Sequence, residues 1–278
     1  SALETGADGL VLAAETAVGK NPIACVSMVT RLVDVFKQKD NDPLLMVENP
    51  NSLLVPPHGG SLVQRIASER DLTTLGDFRR FRISPEGLMD CEQIAIGTYS
   101  PLCGFMNRET LDSVLNDNKL PDGTIWTMPI ILQFAGSDAL PTINERVILT
   151  GIDGKPHSFL DVTEVYSIEI SRIAADWFGT NDLRHPGVAD LVKRGNTLVA
   201  GEVTLIERRR SPFRHLELTP AEARFVFSYK GWSRVVGFHT RNPAHRVHEY
   251  IQLSALEQTH ADGLYISPVT GSKKKGDF

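Results

Sequence analysis

The chain is poor in the residues that mark secreted, membrane-bound or generally nucleic-acid-binding proteins. It has 3 cysteines in 278 residues. Cys25, Cys91 and Cys103 show no metal-ligand spacing, and an odd set is no disulfide framework. A reduced, cytoplasmic setting with buried structural thiols is therefore expected. No apolar run approaches the roughly 18 residues of a membrane span, and the first residues lack a signal-peptide layout. No membrane association is expected. A basic excess is also missing: the formal net charge is −5 and the pI about 5.9. That argues against a nucleic-acid partner but leaves room for a local basic pocket. What is present, 41% hydrophobic and 23% charged residues, is the composition of a soluble globular protein long enough for two domains.

The pattern along the chain changes three times. Residues 1–38 spell strand, loop, helix. "GLVLAAET" is a short continuous apolar run suited to a covered parallel strand, and Ile23, Val26, Val29, Val33 and Phe36 recur at helical spacing. Such a strand needs neighbours that forty residues cannot supply, so this segment looks cut from something larger. Residues 39–51 are a charged, proline-containing linker. From 52 to 210, β-rich runs ("EQIAIG", "TIWTMPIILQF", "RVILTG", "SFLDVTEVYSIEI", "NTLVAGEVTLIE") alternate with turn signals such as "DGT" and "GIDGKP". Short helices are expected at "LVQRIAS" and "NRETLDSVLND". The sum is a mostly β, barrel-like domain. "ERRRSPFRH" is a basic stretch, either a solvated connection between domains or a basic rim for an anionic substrate.

Residues 211–278 switch to α/β periodicity. "LTPAEARFVFSYKGW" opens with a capping box (Thr219, Pro220, Glu222) and ends at Gly231. "SRVVGF" is a strand, "PAHRVHEYIQLSALEQT" a helix with Val247, Tyr250, Ile251, Leu253 and Leu256 among its apolar positions, and "GLYISP" the next strand. This is a βαβ unit of the usual length. Its helix start, "HTRNPAHRVHE", raises a question. Asn242 and Pro243 are suited to N-cap and first helical position. Yet Arg241, His245, Arg246 and His248 crowd a terminus whose macrodipole repels cations. A polyanionic ligand reverses the sign: the helix N-terminus after a strand is an anion site. His245 and His248, three apart, share a face, and Arg241 can reach the same crevice. Zinc is a poorer fit, because no third ligand except Glu249 is near. A phosphate-binding P-loop at "AAETAVGKN" fails, with Ala14 for the first glycine and Asn21 after the lysine.

"GWSRVVGFHTRNPAHRVHE" closely resembles the Gln-Thr-Arg-Asn-Pro-x-His-Arg-x-His signature of the ATP sulfurylase family. "LVPPHGG", "DCEQIAIGTYSPLCGFM", "NDLRHPGV" and "VAGEV" look like landmarks of that family's PUA-like N-terminal domain, and "ISPVTGSKKKGDF" like the strand and loop after its first catalytic helix. The match spans roughly residues 50–278. Residues 1–38 are instead similar to the end of a pyruvate kinase barrel, with Ala14 replacing a glycine. Glu15 and Thr16 alone cannot run phosphoryl transfer.

The resemblance implies a PUA-like β-barrel domain followed by the first part of a Rossmann-like nucleotidyltransferase α/β domain. It implies sulfate adenylyltransferase chemistry, ATP and sulfate giving adenylyl sulfate and pyrophosphate. Arg241 would bind sulfate, His245 and His248 the ATP phosphates and the leaving pyrophosphate, and Asn242 the nucleotide phosphates. Mg2+ would travel with ATP. The complete protein is expected to be a homo-oligomer. Two departures stand out. His239 replaces the usual Gln at a sulfate-contacting position, and a histidine, unlike a glutamine, can charge near neutral pH. The family's downstream Gly-Arg-Asp-His region is not reached, so residues 1–278 are expected to be a fragment with little turnover alone. Competing possibilities are a binding or regulatory module built on the PUA-like domain, and a nucleotidyltransferase for another acceptor.

Overall fold

The computed structural model describes residues 52–76, 78–135 and 140–269. The strand–helix unit expected over 1–38 and the linker over 39–51 lie outside these. The described chain falls into two compact units, residues 57–219 and residues 52–56 with 220–269.

The first unit is built on a six-stranded mixed sheet. β1 (Arg80–Arg82) runs parallel to β4 (Arg146–Thr150). β4 pairs antiparallel with β5 (Pro156–Ser167), and β5 with β6 (Thr197–Leu205). β6 also receives β2 (Gly104–Phe105) and β3 (Gln133–Phe134). The path therefore has two ends, β1 and β2, and among the described residues it does not close into the expected barrel. The central strands are apolar on both faces, as covered strands must be; Val147, Ile148, Leu149, Phe159, Leu160 and Val203 are fully buried.

Among the described residues, α1 (Glu69–Thr73) buries no side chain, while α2 (Pro85–Ala95), α3 (Arg108–Asp117), α4 (Ile170–Phe178) and α5 (Pro186–Lys193) share the core of this sheet. α3 is the helix expected at "NRETLDSVLND", capped by Asn107 Oδ1 accepting Thr110 N–H at 2.9 Å. Three expectations change. "EQIAIG" closes α2 rather than forming a strand: Ser84 caps the helix, Pro85 follows it, and Leu88, Cys91, Glu92 and Ala95 make one buried face. "TIWTMPIILQF" is mostly loop, with only Gln133–Phe134 in the sheet. "LVQRIAS" is extended, because Arg65 N–H donates to Ala95 O and Ala67 N–H to Leu205 O, while Arg65 O accepts from Leu205. Both turn assignments hold. Thr124 N–H donates to Asp122 Oδ1 and Lys155 N–H to Asp153 Oδ1, beside Gly123 and Gly154 at positive φ.

The second unit is a strand–helix–strand preceded by a helix: α6 (Pro220–Tyr229), β7 (Val235–Thr240), α7 (Arg246–Thr259) and β8 (Gly263–Pro268). α6 stops at Gly231, φ +69°, where Trp232 N–H donates back to Phe227 O. β7 and β8 pair in parallel, Val235 against Gly263 through Thr240 against Pro268. Phe227 of α6 meets Tyr265 edge-on at 5.5 Å, and Phe238 meets His248 of α7 edge-on at 5.7 Å. Tyr265 pairs with Gly237, so Tyr265 and Phe238 project from opposite faces of the pair. α6 thus covers one face and α7 the other. The cover is partial: Val247, Tyr250, Ile251 and Leu253 of α7 are exposed, while Gln252 is buried. Two strands present too little surface to bury the whole apolar side of a 14-residue helix.

Candidate active site

The five residues singled out from the sequence lie together around the turn from β7 to α7: His239 in the strand, Arg241, Asn242 and His245 in the loop, and His248 in the helix. The loop is shaped by the last residue of the strand, Thr240. Its Oγ1 accepts Asn242 N–H at 3.2 Å and donates to Asn242 O at 2.8 Å. This side-chain turn uses the backbone that Asn242 and Pro243 would need to start a helix. The expected N-cap at Asn242 is therefore corrected: α7 begins at Arg246, and His245 is its N-cap with extended φ −132°, ψ 176°. Three residues on, His248 reaches back, its Nδ1 accepting His245 N–H at 3.3 Å. An imidazole here does what Glu or Gln does in an ordinary capping box. The contact makes Nδ1 an acceptor, so the proton of the neutral ring sits on Nε2.

The structure does bring His245 and His248 together, with ring centroids 4.0 Å apart and planes 38° from parallel. Phe238 flanks His248 from the strand. Arg241 and Asn242 are exposed on the loop between β7 and these rings. His239 is exposed and, by strand alternation, projects from the Tyr265 face, away from the ring that His248 touches. The result is an open, cation-rich crest at the carboxyl end of a parallel strand, where the first N–H groups of α7 also lie. Its donors are guanidinium, imidazole and amide groups with one carboxylate, Glu249. That set suits anions by its chemistry, and among the described residues no cluster of three His, Cys, Asp or Glu side chains could hold a metal ion.

At the opposite end of the strand pair, Asp262 joins β7 to β8. Its Oδ2 accepts Ser233 N–H at 2.7 Å, Ser233 Oγ–H at 2.8 Å and Arg234 N–H at 2.9 Å, tying the start of β7 to the start of β8. The hydrogen bonds from Arg234 and Ser233 hold its carboxyl below the ordinary value.

The basic stretch before this unit is a connection, not a substrate rim. Arg208 Nε donates to Glu92 Oε1 at 2.8 Å, Arg209 N–H to Glu92 Oε2 at 3.1 Å, and Arg214 Nη1 to Glu217 Oε2 at 2.6 Å. Sequence reasoning missed Glu92. The available signal was its place in a helical repeat with Leu88, Cys91 and Ala95, where a charged residue needs a buried partner.

Comparison with known proteins agrees with this layout. The PUA-like domain family matches residues 55–208, and the ATP-sulfurylase family residues 214–278. A sulfate adenylyltransferase of Pyrococcus abyssi is 40% identical over 231 residues, 80% of this chain and 58% of that protein. One of Deinococcus radiodurans is 41% identical over 227 residues, 81% of this chain and 58% of that protein. Among solved structures, "Hexameric APS kinase from Thiobacillus denitrificans" superposes with a TM-score of 0.63 at 26% identity, covering 81% of this chain and 41% of that one. The chain spans about 58% of the length of the curated relatives it matches. On its two consecutive domain matches and these relatives, the chain belongs to the ATP sulfurylase family.

Proposed function

We propose that the protein is a sulfate adenylyltransferase, joining sulfate to the α-phosphoryl group of ATP and releasing pyrophosphate. The observation that carries this reading is the pairing of His245 and His248 at the N-terminus of α7, directly after a parallel strand and beside Arg241. The parallel strand–helix–strand unit, with a helix on each face, supports reading residues 211–278 as the first part of a Rossmann-like nucleotidyltransferase domain.

Sulfate is a weak nucleophile, so the work of the site is to hold two anions in line and to stabilise charge on the departing pyrophosphate. Arg241 binds sulfate. His248, with its proton on Nε2, donates from that atom to a phosphate oxygen, and His245 contacts the same phosphates. Asn242, its backbone fixed by Thr240, orients the nucleotide phosphates from its side chain. His239, on the opposite strand face, reaches sulfate only at the strand's open end, where the two faces meet. Mg2+ would accompany ATP and be held by its phosphates, since the crest offers cations and neutral donors with Glu249 as its one carboxylate. The complete enzyme is a homo-oligomer, in keeping with the hexameric solved relative.

The test is sulfate-dependent pyrophosphate release from ATP, measured on a chain extended to the length of its relatives and on residues 1–278. Activity in the extended chain that Arg241→Ala abolishes supports the reading. Release independent of sulfate but dependent on another acceptor overturns the substrate assignment. His239→Gln is expected to keep sulfate binding, since both side chains donate a hydrogen bond there; an equal affinity in His239→Ala removes His239 from the sulfate site.

A further inference from the structure

His157, at the start of β5, is buried at 6% exposure and its Nε2 has no hydrogen-bond partner among the described residues. Its Nδ1 is 2.8 Å from Ser158 Oγ, which is itself fully buried. The backbone oxygen of His157 accepts both Ile206 N–H at 2.9 Å and Glu207 N–H at 3.2 Å. The backbone of His157 is therefore bonded to the chain where it leaves β6 and enters the basic connection. That connection docks on one buried carboxylate. Glu92, 3% exposed, takes Arg208 Nε at 2.8 Å and Arg209 N–H at 3.1 Å, with Arg209 Nε at 3.4 Å and Arg214 Nη1 at 3.5 Å. Glu217 adds a second carboxylate to Arg208 and Arg214.

We propose that His157 is an acid-sensitive latch: neutral, it lets residues 206–217 dock on Glu92, and protonated, it releases them. Two features require this. An imidazolium must donate from both nitrogens, and its Nε2–H would be buried with no acceptor. It would also lie against the Arg209 guanidinium, and the carboxylates that face it, Glu92, Glu207 and Asp153, do not make up for its burial.

The charged groups that face His157 are Glu92 on α2, Arg209 and Glu207 on the connection, and Asp153 in the β4–β5 turn. Burial dominates over these and holds the imidazole below its ordinary value. The sign follows. The released state binds the proton more readily, so docking is complete above the ordinary value of about 6.5 and weakens as pH falls toward the docked-state value. Glu92 is not the trigger. Burial raises its carboxyl, but the bonds and charges of Arg208, Arg209 and Arg214 outweigh this and hold it low. Asp90, two residues earlier, titrates at about 6 with the opposite sign, since burial favours its protonated form in the fold.

The experiment is amide hydrogen exchange between about pH 7.5 and 5.5, corrected for the intrinsic rate, comparing residues 206–217 with β4 in the same molecule. Protection of 206–217 should fall by up to about tenfold for each pH unit below the ordinary histidine value, while β4 holds. His157→Gln, a neutral donor and acceptor, should remove this dependence, and Asp90→Asn should leave it. A parent with no selective loss overturns the latch, as does a His157→Gln profile identical to the parent's. Should His157→Gln not fold, Arg209→Gln decides: removing a facing cation should weaken the pH dependence, and an unaltered one refutes the role given to His157.

Discussion

Tyr99 Oη lies 3.4 Å from Asp90 Oδ1, and among the described residues it makes the one hydrogen bond to that carboxylate. Burial pushes the Asp90 carboxyl up to about 6 and, joined by the Asp90 charge, the Tyr99 phenol up to about 12. A long bond from a neutral donor does not offset the loss of water. The first unit therefore carries a carboxylate that is costly to ionise.

Asp90→Asn should stabilise the protein at neutral pH. A carboxyl raised in the fold penalises folding at every pH above its unfolded value, and the penalty is complete above about 6. Solvent reaches part of the group, so the gain expected is about 1–2 kcal/mol, less than the full shift implies. Thermal melts should show a midpoint a few degrees higher at pH 7.5, shrinking to nothing near pH 4. An equal gain at both pH values would mean that charge is not the cause.

His248 has two jobs that substitution can separate. His248→Gln keeps an acceptor for His245 N–H at the same helix position, whereas His248→Ala does not. In the extended enzyme both should lower turnover by about 10²–10³, the usual loss for a transition-state charge stabiliser. Only His248→Ala should also loosen the start of α7, read by amide exchange at Glu249 and Tyr250. Normal turnover in His248→Gln would make the residue a cap and nothing more.

Asp262 is exposed, yet three donors converge on one of its oxygens. Because its carboxyl is depressed in the fold, this tie is present above the ordinary aspartate value and is lost as pH falls through the lower folded value. Asp262→Ala should raise exchange across Val235–Phe238 at neutral pH while leaving β4 and β5 unaffected. Uniform protection in the variant would show that the strand pairing does not depend on it.

Gly104 and Gly201 let β2 approach β6. A Cβ on Gly104 would lie 1.8 Å from Gly201 O, a backbone atom that cannot swing away. Gly104→Ala should cost about 3 kcal/mol, at the upper end of overpacking, and should free Phe105 from the core. Urea denaturation gives the measure; a loss below about 0.5 kcal/mol, the level of an ordinary surface change, would mean that the strands separate without penalty.

Local chemistry was legible along the chain. Asn107 before α3, the Asp122–Gly123 and Asp153–Gly154 turns, and the Gly231 stop each involve partners within five residues. The histidine pair was legible too, because residues three apart at a helix start must meet. What needed the fold was any feature whose energy comes from distant partners. "LVQRIAS" has helical spacing, but its backbone groups find Ala95 and Leu205 instead, and the sheet edge wins. Asn242 is a good N-cap by type, but Thr240 takes its backbone first. The arginines of the connection read as solvated or substrate-facing until Glu92, 116 residues before Arg208, turns out to be buried beneath them. A short-range preference is worth a few tenths to about 1 kcal/mol, and leaving a buried carboxylate unpaired costs several. Where the two compete, the distant partner decides.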